Sequence, residues 1–248
     1  RGYVLLHGEP EFDCADGAAA LAALKGAEFV VALAPFQSRA FEFAHAILPI
    51  APFTETAGTF VSTEGRAQSF RGVVEPLGEA RPAWKVLRVL GNLLGLEGFG
   101  YDSAEEVKNE ALGVAGADLR SRLDNALVAA PALELAAAPS GLERIGDVPI
   151  HFADPIVRRA PALQSTADAQ TPHAWMHGAT LAAHGIAAGE RVKIVQGSAT
   201  ALLIAARDDR LPANCVRVAA GHPATAGLGA LQGPLILERV AAAALAAV

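Results

Sequence analysis

Apolar residues run almost continuously at Tyr3–His7, Phe29–Leu33 and Ala46–Ile50, with helix-length segments between them. Short unbroken apolar runs of this kind predict strands of a parallel sheet covered on both faces. Asp16–Lys25 is the clearest intervening helix: Asp16 suits an N-cap, Leu21 and Leu24 recur at i, i+3, and Gly26 stands where a C-terminal stop belongs. Ala51–Gly72 shows neither periodicity and is rich in Thr, Gly, Glu and Arg, so an ordered loop is expected there, the first place to seek chemistry. Pro82 suits the first turn of a helix through Leu94, on which Trp84, Leu87, Val89, Leu90, Leu93 and Leu94 mark a broad apolar face. Ser103 and Glu106 make a capping-box pattern for a helix ending near Gly113, and Leu119, Leu123 and Leu127 predict another over Gly116–Ala130.

Pro131, Pro139, Gly141, Gly146 and Pro149 then break regularity. From about His151 the pattern becomes short strands at Arg191–Val195, Ala199–Ala206 and Cys215–Ala219, punctuated by Gly189, Gly197, Asp208-Asp209 and Pro212, which reads as a small β-barrel. The expected organisation is α/β: a domain over 1–130, a linker over 131–150 and a barrel domain over 151–248.

Composition narrows the function classes. Hydrophobic residues make up 52% and charged residues 19%, against roughly a quarter charged in an average soluble domain. Two readings stay open, a surface partly covered by partners and a simple excess of alanine. Net charge is −6 with no Lys/Arg cluster, which excludes nucleic acid as a partner. The longest apolar stretch, Val240–Val248, falls far short of the roughly 18 residues of a membrane span, so a soluble chain with no direct membrane insertion is expected. Arg1 opens a strand-like run with no initiator Met and no leader, which reads as a segment of a longer protein. Cys14 and Cys215 lie 201 positions apart, too few and too far for an iron–sulfur or thiolate zinc site, and such isolated thiols fit a reducing compartment.

Candidate chemistry is sparse. Glu55 and Glu64 flank a glycine-rich turn and are candidate paired carboxylates, but no nucleophile accompanies them. The favoured reading is that Glu64, Arg66 and the Thr hydroxyls satisfy backbone groups in a packed loop, with Gly58 and Gly65 permitting positive φ or close packing. His173, His177 and His184 would share a face on one helix, yet Pro172, Gly178 and Gly185 interrupt it and Ala174 stands where a His-Glu-x-x-His motif needs Glu. Gly227, Gly229 and Gly233 lack dinucleotide-fingerprint spacing and read as a turn between strands. Trp84 and Trp175 read as core or interface anchors. No catalytic, cofactor-binding or metal-binding residue is assigned.

Leu48-Pro49-Ile50-Ala51-Pro52-Phe53-Thr54-Glu55-Thr56-Ala57-Gly58-Thr59-Phe60, continuing through Glu64-Gly65-Arg66-Ala67-Gln68, resembles a hallmark of the molybdopterin oxidoreductase superfamily. Gly78-Glu79-Ala80-Arg81-Pro82-Ala83-Trp84-Lys85-Val86-Leu87 and Asp154-Pro155-Ile156-Val157-Arg158-Arg159-Ala160-Pro161-Ala162-Leu163-Gln164 resemble the branch formed by the large iron–sulfur subunit of bacterial NADH:quinone oxidoreductase, respiratory complex I, in its C-terminal part. Gly178–Val240, with Leu181, Gly185-Ile186, Gly189, Val192 and Leu211-Pro212, resembles the barrel that binds the pterin dinucleotide in molybdenum members. Ser62 departs from the family, which usually has Asn there, and loses the amide's paired donor and acceptor. The resemblance implies part of a Rossmann-like parallel-sheet domain followed by a double-psi-like β-barrel. It further implies a non-catalytic scaffold supporting electron transfer from NADH to quinone, with no cofactor in this segment and the iron–sulfur clusters upstream of Arg1. Implied partners are other peripheral-arm subunits, on the cytoplasmic side of the bacterial inner membrane. The rival is part of a catalytic molybdopterin-dependent oxidoreductase such as a formate dehydrogenase.

Overall fold

Val30, Ala32 and Leu33 are at most 3% exposed, and the strand that carries them is the middle one of a three-stranded parallel sheet. The structure is a computed structural model and describes residues 1–113, 119–122, 124 and 140–240. In chain order these form β1 (Gly2–Leu6), α1 (Pro10–Asp13), α2 (Gly17–Lys25), β2 (Phe29–Ala34), β3 (Ala46–Pro49), β4 (Gly58–Val61), β5 (Ala67–Phe70), α3 (Ala83–Leu93) and α4 (Ala104–Leu112). There follow β6 (Glu143–Ile145), α5 (Pro155–Arg158), α6 (Pro161–Gln164), β7 (His173–Met176), α7 (Gly178–Ala183), β8 (Arg191–Gln196), β9 (Ala199–Arg207), β10 (Cys215–Arg217), β11 (Gln232–Pro234) and β12 (Ile236–Arg239). Two compact units result: Arg1–His7 with Phe29–Leu135, and Gly8–Glu28 with Ala136–Val248.

In the first unit the parallel order is β1-β2-β3. Coverage of the sheet on both faces holds for β2 alone: on β1, Tyr3, Val4 and Leu6 are all exposed, Val4 by 58%. The strand also stops one residue early. His7 turns out of it with φ +57° while its N–H donates to Leu33 O.

Within 51–72, where a loop is expected, β4 and β5 form an antiparallel hairpin with Phe60 stacked on Phe70 at 5.1 Å. Gly65, at φ +78°, closes it. Its N–H donates to Ser62 O and the Ser62 N–H donates to Arg66 O, the pattern of a three-residue loop ending in a left-handed glycine. The Ser62 hydroxyl accepts the Arg66 N–H at 3.2 Å, so serine supports the turn in its own way.

Helix α3 lies where the pattern predicts one, but Pro82 is its N-cap rather than part of its first turn and Leu94 its C-cap, and Gly91 lies buried against the Phe99 ring. Its apolar face is not wholly covered, since Leu93 is 80% exposed. Ser103 caps α4 by accepting the Glu106 N–H at 3.2 Å, and the Glu106 carboxylate accepts the Asp102 N–H at 2.8 Å. Of the helix expected over 116–130, Leu119–Arg122 is a 3-10 turn, and most of the rest lies outside the described residues.

The second unit is built on a seven-stranded mixed sheet, ordered β11-β6-β10-β7-β9-β8-β12, that forms a half-barrel. Alternation explains its core: Val192 and Ile194 of β8, and Ala201, Leu203 and Ala205 of β9, point one way and are buried, with Met176, Val216 and Leu237 beside them. Strand β6 falls in the segment read as a linker, and β11 and β12 have no counterpart in the sequence reading. Gly233, one of the three glycines read as a turn, lies on β11. Helix α2 also belongs to this unit. Asp16 caps it by accepting the Ala19 N–H at 2.9 Å. Gly26 ends it at φ −89°, so no left-handed residue is needed there.

Candidate functional site

The carboxylates that the sequence offers for acid–base work do not meet. Glu55 accepts the Leu77 N–H at 3.0 Å. Glu64 sits at the hairpin tip, 3.9 Å from Arg66, with side chains 80% and 70% exposed. Glu55 thus satisfies a backbone group, whereas Glu64 and Arg66 do not pack as the loop reading expects.

The three histidines do not share a helix either. His173 is on β7, His177 is the N-cap of α7 and His184 its C-cap. The His177 Nδ1 accepts the Ala179 N–H at 2.9 Å, which commits that nitrogen to the cap. No group of three potential metal ligands forms among the described residues. Trp175 lies beside the Arg217 guanidinium at 5.7 Å and His173 at 5.7 Å, on the wall of a cavity shared with Asp147 and Asp168. The turn after β9 carries two acids, Asp208 with its side chain 9% exposed and Asp209 exposed: hydrogen bonds from Arg210 hold Asp208, and those from Arg207 and the Gly178 N–H hold Asp209, each at about 2. Cys14 is exposed and Cys215 is buried, with its thiol pushed up by burial.

The Asp154–Gln164 segment gains a physical explanation. Asp154 caps α5 through the Ile156 and Val157 N–H groups, Pro155 suits the first turn, and Arg158 and Arg159 are thereby aimed at one target. That target is Glu9, 4% exposed. Arg158 reaches it at 2.7 Å and also Asp13 at 2.5 Å, Arg159 pairs with it from the other side, and the Arg158 guanidinium lies 4.7 Å from the Phe12 ring centre. Asp13 in turn accepts the Glu9 N–H at 2.7 Å. Burial pushes the Glu9 carboxyl up, but the hydrogen bonds from Arg159 and Arg158 outweigh it and hold the group below its ordinary value.

The feature that sequence reasoning missed is Arg144 on β6, 1% exposed. It donates to Gln196 Oε1 (3.1 Å), Gly229 O (3.1 Å), Ala230 O (3.2 Å) and Val218 O (3.4 Å), tying separate stretches of the second unit together. It lines a cavity of about 250 Å³ with Glu11, Asp13, Cys14, Gly221 and Thr225. Its only sequence signal is a cation in a short apolar-edged segment, which is not distinctive.

The model of the molybdopterin oxidoreductase family matches residues 1–93. The probable oxidoreductase YjgC of Bacillus subtilis (strain 168) is 40% identical over 90 residues, which is 36% of this chain and 9% of that protein. A putative formate dehydrogenase of Staphylococcus aureus (strain bovine RF122 / ET3-1) is 35% identical over 89 residues, with the same shares. Among solved structures, acetylene hydratase from Pelobacter acetylenicus superposes with TM-score 0.65 at 17% identity over 96% of this chain and 44% of its own, which establishes a shared fold. The chain therefore corresponds to less than half of that structure, and its match spans about a tenth of the curated relatives. Over residues 1–93 the chain is therefore similar to part of a molybdopterin oxidoreductase family domain.

Proposed function

We propose that this chain is a structural portion of the large iron–sulfur subunit of an NADH:quinone oxidoreductase, and that its second unit is a double-psi-like barrel kept as scaffold. The carrying observation is that the ionic groups around the buried Glu9 are matched to one another, an arrangement that holds segments of the second unit in place. Exposed apolar side chains on the first unit, among them Phe60, Val73, Leu77 and Leu93, fit a surface covered by sister subunits of the peripheral arm. In this reading the iron–sulfur clusters are held elsewhere in the subunit, and the assembly sits on the cytoplasmic side of the inner membrane. No helix among the described residues is long and apolar enough to cross a membrane.

A pterin dinucleotide fits the second unit's own cavity over Arg144 poorly. About 250 Å³ lies below the roughly 300–1,000 Å³ of drug-sized ligand sites. The wall carries one cation, and Glu11 and Asp13 beside it oppose a pyrophosphate.

The second reading, part of a catalytic molybdopterin-dependent oxidoreductase such as a formate dehydrogenase, is favoured by the names of the curated relatives. The deciding experiment deletes residues 1–248 from the intact protein and follows assembly on native gels, upstream clusters by electron paramagnetic resonance, and molybdenum by elemental analysis. The scaffold reading expects less assembled complex with cluster signals intact in what assembles. Normal assembly with normal quinone reduction overturns it, and stoichiometric molybdenum with formate oxidation by the intact protein establishes the second reading.

A further inference from the structure

Arg144 is a buried cation whose contacts are all to neutral oxygens. It makes no ion pair among the described residues, and Asp147 acts on it only through space. A guanidinium offers five N–H donors. Here three contacts converge on Nη1, while Nε and Nη2 share the single Val218 carbonyl oxygen at 3.4 Å. These lengths exceed the roughly 2.7–2.9 Å of charge-assisted bonds. Among the described residues one Nη2 hydrogen therefore has no acceptor of its own, and no carboxylate pairs with the desolvated charge, whose burial pushes its pKa down.

The same side chain lines a cavity large enough for a few heavy atoms, with the buried Thr225 and the backbone of Gly221 and Gly229 on its wall. The Asp13 carboxylate, also on the wall, is engaged by Arg158 and by the Glu9 N–H. Glu11 is 4% exposed, and the two acids together disfavour a large or highly charged guest.

We propose that this cavity binds a small oxyanion, the carboxylate or phosphate group of a small ligand, seated against the Arg144 guanidinium. One oxygen of such a group takes the Nη2 hydrogen that has no acceptor of its own, and its negative charge offsets the buried guanidinium. The site lies wholly within the second unit and stands independently of the scaffold reading.

Cys14 supplies the reporter, because it lines the same cavity and is exposed, whereas Cys215 is 8% exposed and slow to react. In the full chain, the rate of Cys14 alkylation by iodoacetamide is followed by mass spectrometry during titration with sodium acetate or sodium phosphate. Ionic strength is held constant with sodium chloride. A saturable several-fold slowing is expected, with the effective anion telling a carboxylate from a phosphate ligand. Arg144→Gln should abolish the protection and Arg239→Gln, at an exposed arginine, should retain it. Absence of slowing with either anion, equal slowing in chloride alone, or full protection in a folded Arg144→Gln chain overturns the proposal. If Arg144→Gln does not fold, the wild-type titration against chloride decides.

Discussion

Arg158 donates to Glu9 at 2.7 Å across 149 positions of sequence. The pair and its neighbours Arg159 and Asp13 fasten α1, which precedes the second strand of the parallel sheet, onto α5, deep in the second half of the chain. This contact makes Gly8–Glu28 part of a unit formed mainly by residues more than a hundred positions away.

Glu9→Ala should destabilise the second unit by about 3 kcal/mol, because it removes the buried carboxylate that both guanidinium groups share. Urea unfolding followed by tryptophan fluorescence measures this. Arg158→Ala should cost a similar amount, and the double variant should cost clearly less than the sum, since the two residues share one interaction. Additive losses would show that the contact contributes nothing as a pair.

Acid should loosen the same contact. The folded Glu9 carboxyl lies below its ordinary value of 4.5. Its contribution is therefore fully present above pH 4.5 and is lost as pH falls through the folded value. Wild-type stability should decline below pH 4.5 more steeply than that of Glu9→Gln. Parallel pH profiles of the unfolding midpoint would count against this assignment.

In the hairpin, glycine matters more than charge. Gly65→Ala forces a β-carbon into φ +78° and should cost about 1 kcal/mol of hairpin stability. Arg66→Ala removes an exposed side chain with one long ion pair and should change stability by less than about 0.5 kcal/mol. Amide exchange at Ser62 and Arg66 reads both effects, and a larger loss in Arg66→Ala would reverse the order expected here.

At α3, Gly91→Ala should destabilise by about 1–3 kcal/mol, because the new methyl would stand 2.3 Å from the Phe99 ring. Gly100→Ala, which meets nothing within 4 Å, serves as the control and should shift the thermal midpoint little. Equal melting temperatures for the two variants would show that the Phe99 ring moves aside freely.

The elements legible in the sequence are those specified by neighbours a few residues apart. Asp16 and Ser103 cap their helices through N–H groups three residues on. The apolar runs became β1, β2 and β3 because burial of the middle strand selects Val and Leu locally. Strands β8 and β9 alternate because one face is core. The hairpin was hidden for the opposite reason: β4 and β5 have no buried residue, so neither side of the strand is under selection for apolar character and no period of two appears. The three-residue strands β6 and β11 are too short to show one. Proximity between distant segments left no mark at all. Nothing local to Glu9 announces Arg158 and Arg159, and nothing beside Arg144 announces Gln196, Val218 and the Gly229–Ala230 carbonyls. Local composition by itself determined the caps, the buried strands and the two patterns of architecture. Chain closure over more than fifty positions decided the buried ionic contacts and the cavity, because hydrogen bonds and charge act over a few ångströms in space and are indifferent to separation along the chain.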